Sequence, residues 1–182
     1  MNNLSPLLNV LNKSIRISGK KIIRDFGEIE KLQSSVKQTE KYAEITRSNL
    51  EKEVYQILNK IKPNISISTF QNSKEENAWV TDLIDSPKNF SRGIDNFFIN
   101  ISLKENNKIN TCIIYNPIRD EIFYFQNGLG GYKNDYRIRV SERKRLNESI
   151  ISFYGNVNQV AENCILEKIR QIIKKENIET RE

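Results

Sequence analysis

Histidine is absent from this chain of 182 residues, and cysteine, proline and tryptophan are scarce. Without histidine there is no imidazole general base, no Ser-His-Asp or Cys-His nucleophile system and no histidine ligand for zinc. Two cysteines, Cys112 and Cys164, are too few for a four-cysteine zinc site and give no disulfide framework, so we expect a cytoplasmic, reducing location. No apolar run is long enough to predict a membrane span, and the first residues do not resemble a signal peptide.

Charge is what the chain has in quantity, with 29 Lys and Arg against 23 Asp and Glu and a net charge of +6. A positive balance favours a nucleic-acid or acidic-protein partner, although the cations are interleaved with acids. The densest basic stretch is residues 136–145, where alternation predicts that Arg137 and Arg139 lie on one face of a strand. The alternative interpretation of this stretch is a solvated strand edge.

Apolar spacings of three and four predict two helices in the first third of the chain. The first runs from Leu7 to Phe26 and follows the start signal Ser5-Pro6. The apolar period of the second helix begins at Leu50, after a polar interval, and the helix ends near Ile61 because Pro63 follows.

From Ile65 onward the apolar period changes to two, which predicts strands separated by hairpin and bulge turns. An antiparallel meander is the simplest arrangement of these strands. Helical spacing returns between Val157 and Ile173. The sequence therefore predicts an α+β domain at residues 1–155, followed by a C-terminal helix and charged tail at 156–182. The predicted strands are 65–70, 79–84, 97–103, 109–115, 121–125, 136–140 and 150–153.

Two carboxylates, Asp82 and Asp85, stand where the predicted strand 79–84 ends and where Ser86-Pro87 could begin a short helix. Acids at this spacing can converge on Mg²⁺, whose oxygen shell needs one or two protein carboxylates and substrate phosphate. The alternative is structural: Asp85 or Ser86 caps the helical turn, and Asp82 is a solvated acid at a strand end.

Several motifs resemble those of the inositol monophosphatase family, which includes the bacterial extragenic-suppressor phosphatases. Residues 79–90, WVTDLIDSPKNF, are similar to the family signature W-[IV]-[IV]-D-P-[IL]-D-G-T-x-N-F. Residues 114–123, IYNPIRDEIF, resemble V-Y-[DN]-P-x-x-[DN]-E-[LM]-[FY], and GLGG at 128–131 resembles G-x-G-A. Ser18-Gly19 matches the family's A-G pair. The resemblance implies the N-terminal α/β half of that fold, two helices on a largely antiparallel sheet, with the C-terminal half missing.

The resemblance also implies roles for individual residues. Asp82 and Asp85 would hold Mg²⁺, the backbone carbonyl of Ile84 would be a further ligand, and Ser86 would face the phosphate. The family's Glu-Glu pair corresponds to Gln71-Asn72, which removes a metal-binding carboxylate. Glu75 and Glu76 follow closely, and they are the acids that could substitute.

Two further positions depart from the family at the step that activates water. The family's D-x-V-[ST]-x-x-D stretch aligns with residues 41–47, so Arg47 stands where an acid is expected. A guanidinium cannot accept a proton from water, and it adds positive charge where metals would bind. Pro87 replaces the threonine of D-G-T and removes both a hydroxyl and a backbone N–H.

These departures predict a catalytically inactive family member that acts by binding, with Mg²⁺ binding weak or lost. The suppressor-type relatives suggest a transcription- or RNA-related partner, and a second copy or another protein is expected to cover the sheet surface left by the missing half. The alternative is a Mg²⁺-dependent phosphatase that hydrolyses a small phosphate monoester such as inositol monophosphate. Nucleic-acid binding through residues 136–145 is a third hypothesis, and a product without a selected role is a fourth.

Overall fold

The computed structural model describes residues 4–32, 35–69, 72, 74–148 and 150–152, together with short stretches at 167–168, 171, 174–175 and 179–181. The chain divides into two compact units, Met1–Ile138 and Arg139–Glu182. The predicted boundary at 155/156, Cys164 and most of the predicted helix 157–173 lie outside the described residues. The elements are α1 (Pro6–Lys31), α2 (Val36–Ile61), β1 (Ser66–Thr69), β2 (Ala78–Leu83), α3 (Pro87–Ser91), β3 (Ile99–Glu105), β4 (Lys108–Asn116), β5 (Glu121–Gln126), β6 (Gly130–Lys133), β7 (Tyr136–Ile138), a 3₁₀ turn (Leu146–Glu148), β8 (Ile150–Ser152) and β9 (Glu179–Arg181).

Helix α1 begins as predicted, because the Ser5 hydroxyl accepts a hydrogen bond from the Leu8 N–H at 3.3 Å and Pro6 occupies the first turn. The helix continues to Lys31, beyond the predicted end at Phe26, since Ile29 extends the buried stripe. The buried residues of α1 are Leu8, Leu11, Ile15, Ser18, Gly19, Ile22, Phe26 and Ile29.

Helix α2 ends at Ile61 as predicted, but it begins at Val36, so the prediction of a polar interval before Leu50 is wrong. The reason is that small side chains carry the first half of the buried face. Thr39, Ala43 and Thr46 are buried at helical spacing, and the Thr39 hydroxyl donates to the Val36 carbonyl at 2.9 Å. A search for large apolar residues does not detect such a face.

The first unit contains a seven-stranded sheet in the order β1 to β7. The predicted meander is confirmed for β2 to β7, which pair antiparallel with their neighbours, but it is wrong for β1, which runs parallel to β2. Eight extended residues span about 26 Å, so the segment 70–77 is long enough to return along β1, which is only about 13 Å long. Strands β8 and β9 form a separate parallel pair in the second unit.

Two details of the last strands differ from the predictions. Gly130–Lys133 forms β6, a strand that is absent from the predicted set. Strand β7 ends at Ile138, so Arg139 lies beyond it and the prediction that Arg137 and Arg139 share a strand face is wrong. A three-residue strand at the sheet edge is too short to continue the alternation.

Alternation along the strands gives the sheet two unlike faces. The helix-covered face packs against α1 and α2 in one core cluster, whose strand residues are Trp79, Leu83, Ile99, Ile101, Leu103, Ile113, Tyr115, Ile122 and Tyr124. The opposite face carries their neighbours Val80, Asp82, Asn100, Ser102, Cys112, Ile114, Phe123 and Phe125, which are mostly half-buried.

Two contacts fix the helices relative to the end of β2. A Cβ added at Gly19 would lie 2.5 Å from Cε1 of Tyr115, so glycine lets α1 approach β4 closely. Phe26 of α1, Phe90 of α3 and Phe97 form a ring cluster with centroids 4.9 to 5.7 Å apart. Because Phe90 and Phe97 are fully buried, this cluster anchors α3 and therefore the turn that precedes it.

Candidate functional site

The backbone turns directly after β2 at Ile84, a β-branched residue in a left-handed conformation that such residues rarely adopt. Asp82 pairs across the sheet with Asn100, Leu83 returns to the core, and Ile84 follows with φ of 59° and 1% exposure. A β-branched residue in the left-handed region is strained by contact between its Cβ and the backbone. Such strain persists where the surrounding structure imposes it, and it is often found at functional sites.

Asp85 is held by two hydrogen bonds to one residue. Its backbone N–H donates to the Phe98 carbonyl at 3.1 Å, and its Oδ1 accepts from the Phe98 N–H at 2.8 Å. The predicted short helix follows as α3, with Ser86 at its N-cap position, but the Ser86 side chain makes no capping hydrogen bond. Asp85 therefore secures the turn to the segment before β3, which the structural alternative of helix capping did not anticipate.

A second turn, at Asn116, is hydrogen-bonded to the segment that precedes β3. The buried Asn116 accepts hydrogen bonds from the N–H groups of Ile118 and Arg119, both at 3.0 Å, and its amide donates to the Asp95 carbonyl at 2.9 Å. Arg119 also donates two hydrogen bonds of 3.1 Å to the Asp95 carboxylate. The family resemblance of residues 114–123 does not by itself predict these hydrogen bonds. The signal was the Asn-Pro turn, whose side chain is suited to accept backbone N–H groups.

Charges of both signs meet at the end of β2. Burial raises the pKa of Asp82, the carboxylate of Asp85 raises it further, and Arg47 on α2 opposes this effect. The Arg47 guanidinium donates to Glu51, one turn along α2, at 3.2 Å. The charge of Arg47 therefore acts on Asp82, although the ion pair of Arg47 is with Glu51.

Glu75 and Glu76 lie elsewhere. The Glu75 carboxylate accepts a hydrogen bond from the Ser66 hydroxyl at the start of β1, and the Glu76 carbonyl accepts from the Asn107 N–H at the β3–β4 turn, 3.0 Å away. Ser66 pairs with the first residue of β2, which the rise of a strand puts about 13 Å from Asp82. The two glutamates therefore flank the opposite end of β2.

The remaining predicted positions add no carboxylate. Asn72 is exposed, and its partner Gln71 lies outside the described residues. Pro87 is the first residue of α3. Within the described ranges, no group of three or more Asp, Glu, Cys or His residues could hold a metal ion.

The Mg²⁺ that the family resemblance implies does not fit this donor set well. Two carboxylates and the Ile84 carbonyl are the available oxygens, and Oδ1 of Asp85 already accepts a backbone hydrogen bond. A hard divalent cation prefers a shell of oxygen ligands with negative charge, whereas the positive charge of Arg47 acts on Asp82.

A hollow of about 620 Å³ extends from these acids along the opposite face of the sheet. Burial raises the pKa of the Cys112 thiol, against a smaller effect of the Ser102 hydrogen bond, so at neutral pH this residue is a thiol and a poor nucleophile. Both apolar side chains and hydrogen-bonding groups line the hollow. Its floor and walls include Val80, Asn100, Ser102, Cys112, Ile114 and Phe123.

Every residue of the basic stretch, from 136 to 145, is exposed. The Arg137 side chain lies against Gly130, where an added Cβ would be 3.3 Å from the guanidinium. As for membranes, none of the helices in the described part of the chain has the length and apolar character needed to cross a bilayer.

Comparison with known proteins adds independent findings. The model of the inositol monophosphatase family matches residues 3–182. An inositol-1-monophosphatase of Rhizobium meliloti is 31% identical over 152 residues, which cover 81% of this chain and 57% of the relative. A protein named Nus factor SuhB of Xylella fastidiosa is 29% identical over 150 residues, covering 81% and 54%.

The same relationship is visible among solved structures. The extragenic suppressor protein suhB of Bartonella henselae superposes with a TM-score of 0.74 at 28% identity, covering 97% of this chain and 70% of that one. An inositol monophosphatase of Staphylococcus aureus gives a TM-score of 0.76 at 19% identity, which supports the fold alone. The chain spans 57% of the length of the Rhizobium meliloti relative and 54% of the length of the Xylella fastidiosa relative.

Proposed function

The chain belongs to the inositol monophosphatase family, and from this premise we propose that it acts by binding another protein and not by hydrolysing a phosphate ester. The observation that carries the proposal is that Arg47, on α2, stands where the family motif has an acid. Hydrolysis of a phosphate monoester by metal-bound water requires a metal shell rich in carboxylates and a group that accepts the proton. Arg47 offers neither, because a guanidinium remains protonated at all ordinary pH values.

Other features of the site support the same proposal. Pro87 has no hydroxyl and no N–H to offer, and Glu75 and Glu76 are directed to the far end of β2. The turn itself is kept, with Ile84 in its left-handed conformation and Asp85 secured by Phe98. This combination is what we expect of a member in which the scaffold is retained and the reactive side chains are replaced.

The surface best suited to a partner is the hollow on the opposite face of the sheet. Its apolar side chains Ile114 and Phe123 are only half-buried, and Phe125 is 38% exposed. A protein surface with apolar side chains and a basic group near Asp82 would complement it. Relatives that carry the name Nus factor SuhB direct the search for such a partner to the transcription machinery and its RNA.

A phosphatase assay tests the proposal directly. Purified chain is incubated with inositol monophosphate and Mg²⁺, beside Asp82→Asn and the matched control Glu40→Gln, which neutralises an exposed acid of α2. We expect phosphate release from all three proteins to equal that of the buffer blank. Release by wild type and Glu40→Gln that disappears in Asp82→Asn would contradict the proposal.

That contradicting result would establish the second candidate, a Mg²⁺-dependent phosphatase acting on a small phosphate monoester. The observation that favours this candidate is the retained geometry of Asp82, Ile84 and Asp85 at the end of β2. The name inositol-1-monophosphatase borne by one relative indicates the substrate to try first. In this candidate Ser86 would face the phosphate.

A further inference from the structure

We propose that the opposite face of the sheet pairs with the same face of a second copy of the chain, about a two-fold axis that runs along β4. The inference rests on the proposed function, which it deepens by naming the occupant of the hollow. All the pairing residues lie between Val80 and Lys133, within the first unit. Such a dimer joins two sheets face to face, about 10 Å apart, as in other packed sheets.

The first step of the argument is a row of residues that crosses five strands on this face. In register order the row is Asp82, Asn100, Ile114, Phe123 and Lys133. Directly paired residues lie on the same face of a sheet, and Nζ of Lys133 is 5.4 Å from the ring centre of Phe123. The row therefore begins with an acid on β2, ends with a cation on β6 and has Ile114 of β4 at its centre.

The second step is the symmetry of that row. A two-fold axis along β4 through Ile114 sets the row opposite its own reverse in the second copy. Because β2 and β6 are each two strands from β4, they lie about 10 Å on either side of the axis. Asp82 of each copy then faces Lys133 of the other, and the two Ile114 side chains meet on the axis. The face is therefore complementary to itself in charge.

The third step is the charge available at the two ends of the row. Lys133 donates to Glu121 at 2.5 Å, and its side chain is 41% exposed. An ammonium group has three N–H donors, so this ion pair leaves donors for a second carboxylate. Asp82 is half-buried and lines the hollow together with Asp85. An axis across the strands would set β2 against β2 and give these acids no counter-charge, so the charges favour the axis along β4.

The fourth step is the size of the interface. Strands β2 to β6, about 4.8 Å apart and about 20 Å long, present roughly 500 Å² from each copy. Specific interfaces bury about 800 Å² from each partner on average, so this one is at the low end of the range. Its apolar area comes mainly from Ile114, Phe123 and the 38% exposed Phe125. We therefore expect a monomer–dimer equilibrium with a Kd of roughly 10–100 µM.

Sedimentation equilibrium of the full chain, at protein concentrations from about 5 to 500 µM, tests the proposal. Asp82→Lys sets a cation against Lys133 of the other copy, and Lys133→Asp sets two acids against each other. Because each substitution acts twice in a symmetric dimer, either should raise the Kd at least about tenfold. The double variant Asp82→Lys/Lys133→Asp restores opposite charges and should return the Kd to within about threefold of wild type. Lys52→Asp, at an exposed position of α2, is the control and should leave the Kd unchanged.

A substitution at the axis gives a second test. Ile114→Asp puts two carboxylates on the axis, so this variant should be a monomer at every concentration. The matched control is Ile109→Asp, at a 45% exposed residue of the same strand, which should keep the wild-type Kd. Far-ultraviolet circular dichroism establishes that each variant is folded, and the charge-exchange variants decide the question if Ile114→Asp is not.

Three outcomes would overturn the proposal. The first is a wild-type protein that remains monomeric at the highest concentration. The second is a double charge-exchange variant that associates no more tightly than the single variants. The third is a dimer that Ile109→Asp dissociates as fully as Ile114→Asp does.

Chemical cross-linking locates the axis. Cys112 precedes Ile114 by two residues on the same face of β4, so the thiols of both copies lie near the axis. A short bismaleimide is expected to link wild type and Cys164→Ser into covalent dimers, but not Cys112→Ser. A protein that sediments as a dimer and gives no product dependent on Cys112 would overturn this axis.

The proposed function and the dimer fail in different ways. Phosphate release by a protein that dimerises through this face would overturn the proposed function and leave the dimer standing. A monomer that releases no phosphate would overturn the dimer and leave the non-catalytic function standing. Measuring both quantities on the same preparation therefore keeps them apart.

Discussion

The two faces of the seven-stranded sheet are built from alternate residues of the same strands, yet they differ in almost every physical respect. On the helix-covered face Trp79, Ile99 and Ile113 are completely buried. On the opposite face Asn100, Cys112 and Ile114 are half-buried and line an open hollow. The first face supplies the free energy of folding, because burial of apolar area is the main stabilising contribution. The second face buries less of its apolar area and so contributes less to folding.

The strongest test of this contrast compares neighbouring isoleucines in β4. Ile113 is fully buried under the helices and Ile114 is half-buried on the other face. Ile113→Ala leaves a cavity and is expected to lower the free energy of unfolding by about 2–5 kcal/mol, whereas Ile114→Ala should cost about 1 kcal/mol or less. Urea denaturation measures both values. Equal losses would mean that the two faces contribute alike to stability.

A smaller effect is expected at the closest contact between helix and sheet. Gly19→Ala places a Cβ 2.5 Å from the ring of Tyr115, so it should destabilise the protein by about 1–3 kcal/mol despite alanine's higher helix propensity. Gly27, also in α1, has nothing within 4 Å of an added Cβ. Gly27→Ala should therefore stabilise by about 0.5–1 kcal/mol. Thermal melts of the pair should shift in opposite directions, and a shift in the same direction would argue against close packing at Gly19.

The smallest effect is expected at a single hydroxyl group under α1. Tyr115 donates a hydrogen bond of 3.0 Å to Asp120, which Arg16 also binds, and the Arg16 guanidinium lies 5.4 Å from the ring centre. Tyr115→Phe removes this hydrogen bond, and we expect a loss of about 1 kcal/mol at pH 7.

The same variant has a defined pH dependence. Burial and the Asp120 carboxylate raise the pKa of Tyr115 from 10.0 to about 12, so the unfolded chain releases this proton before the folded one does. The stabilising contribution of the phenol is thus complete below pH 10 and is lost as the pH rises to about 12. Denaturation between pH 9 and 12 should show the deficit of Tyr115→Phe shrinking. Tyr136→Phe, at an 80% exposed residue, is the control that should leave the profile unchanged.

Much of this fold follows from local patterns, and the exceptions have physical causes. The strands of the meander and the end of α2 could be predicted because large apolar residues repeat with a clear period and Pro63 follows the helix. The start of α2 could not, because Thr39, Ala43 and Thr46 bury a face without high hydropathy. The parallel pairing of β1 was also missed, since strand direction depends on the course of the connection and not on the strand itself.

The candidate site shows a similar division. Motif spacing aligned Arg47 with a position of the predicted site, and in the structure its charge lowers the pKa of Asp82 while its ion pair is with Glu51. Motif spacing did not predict that Glu75 and Glu76 lie near the start of β2, at the end opposite Asp82. Nor did it identify Asn116 and Asp95, whose role is to hold a neighbouring loop through backbone groups.

The left-handed Ile84 has a consequence for the history of such a chain. A reactive side chain can be lost through a single codon change, as an acid is exchanged for an arginine or a threonine for a proline. A buried backbone conformation is different, because Asp85, Phe98 and the packing around Ile84 all specify it together. Several substitutions would be needed to relax it. The shape of the turn is therefore more robust to a single substitution than the chemistry of any one side chain around it.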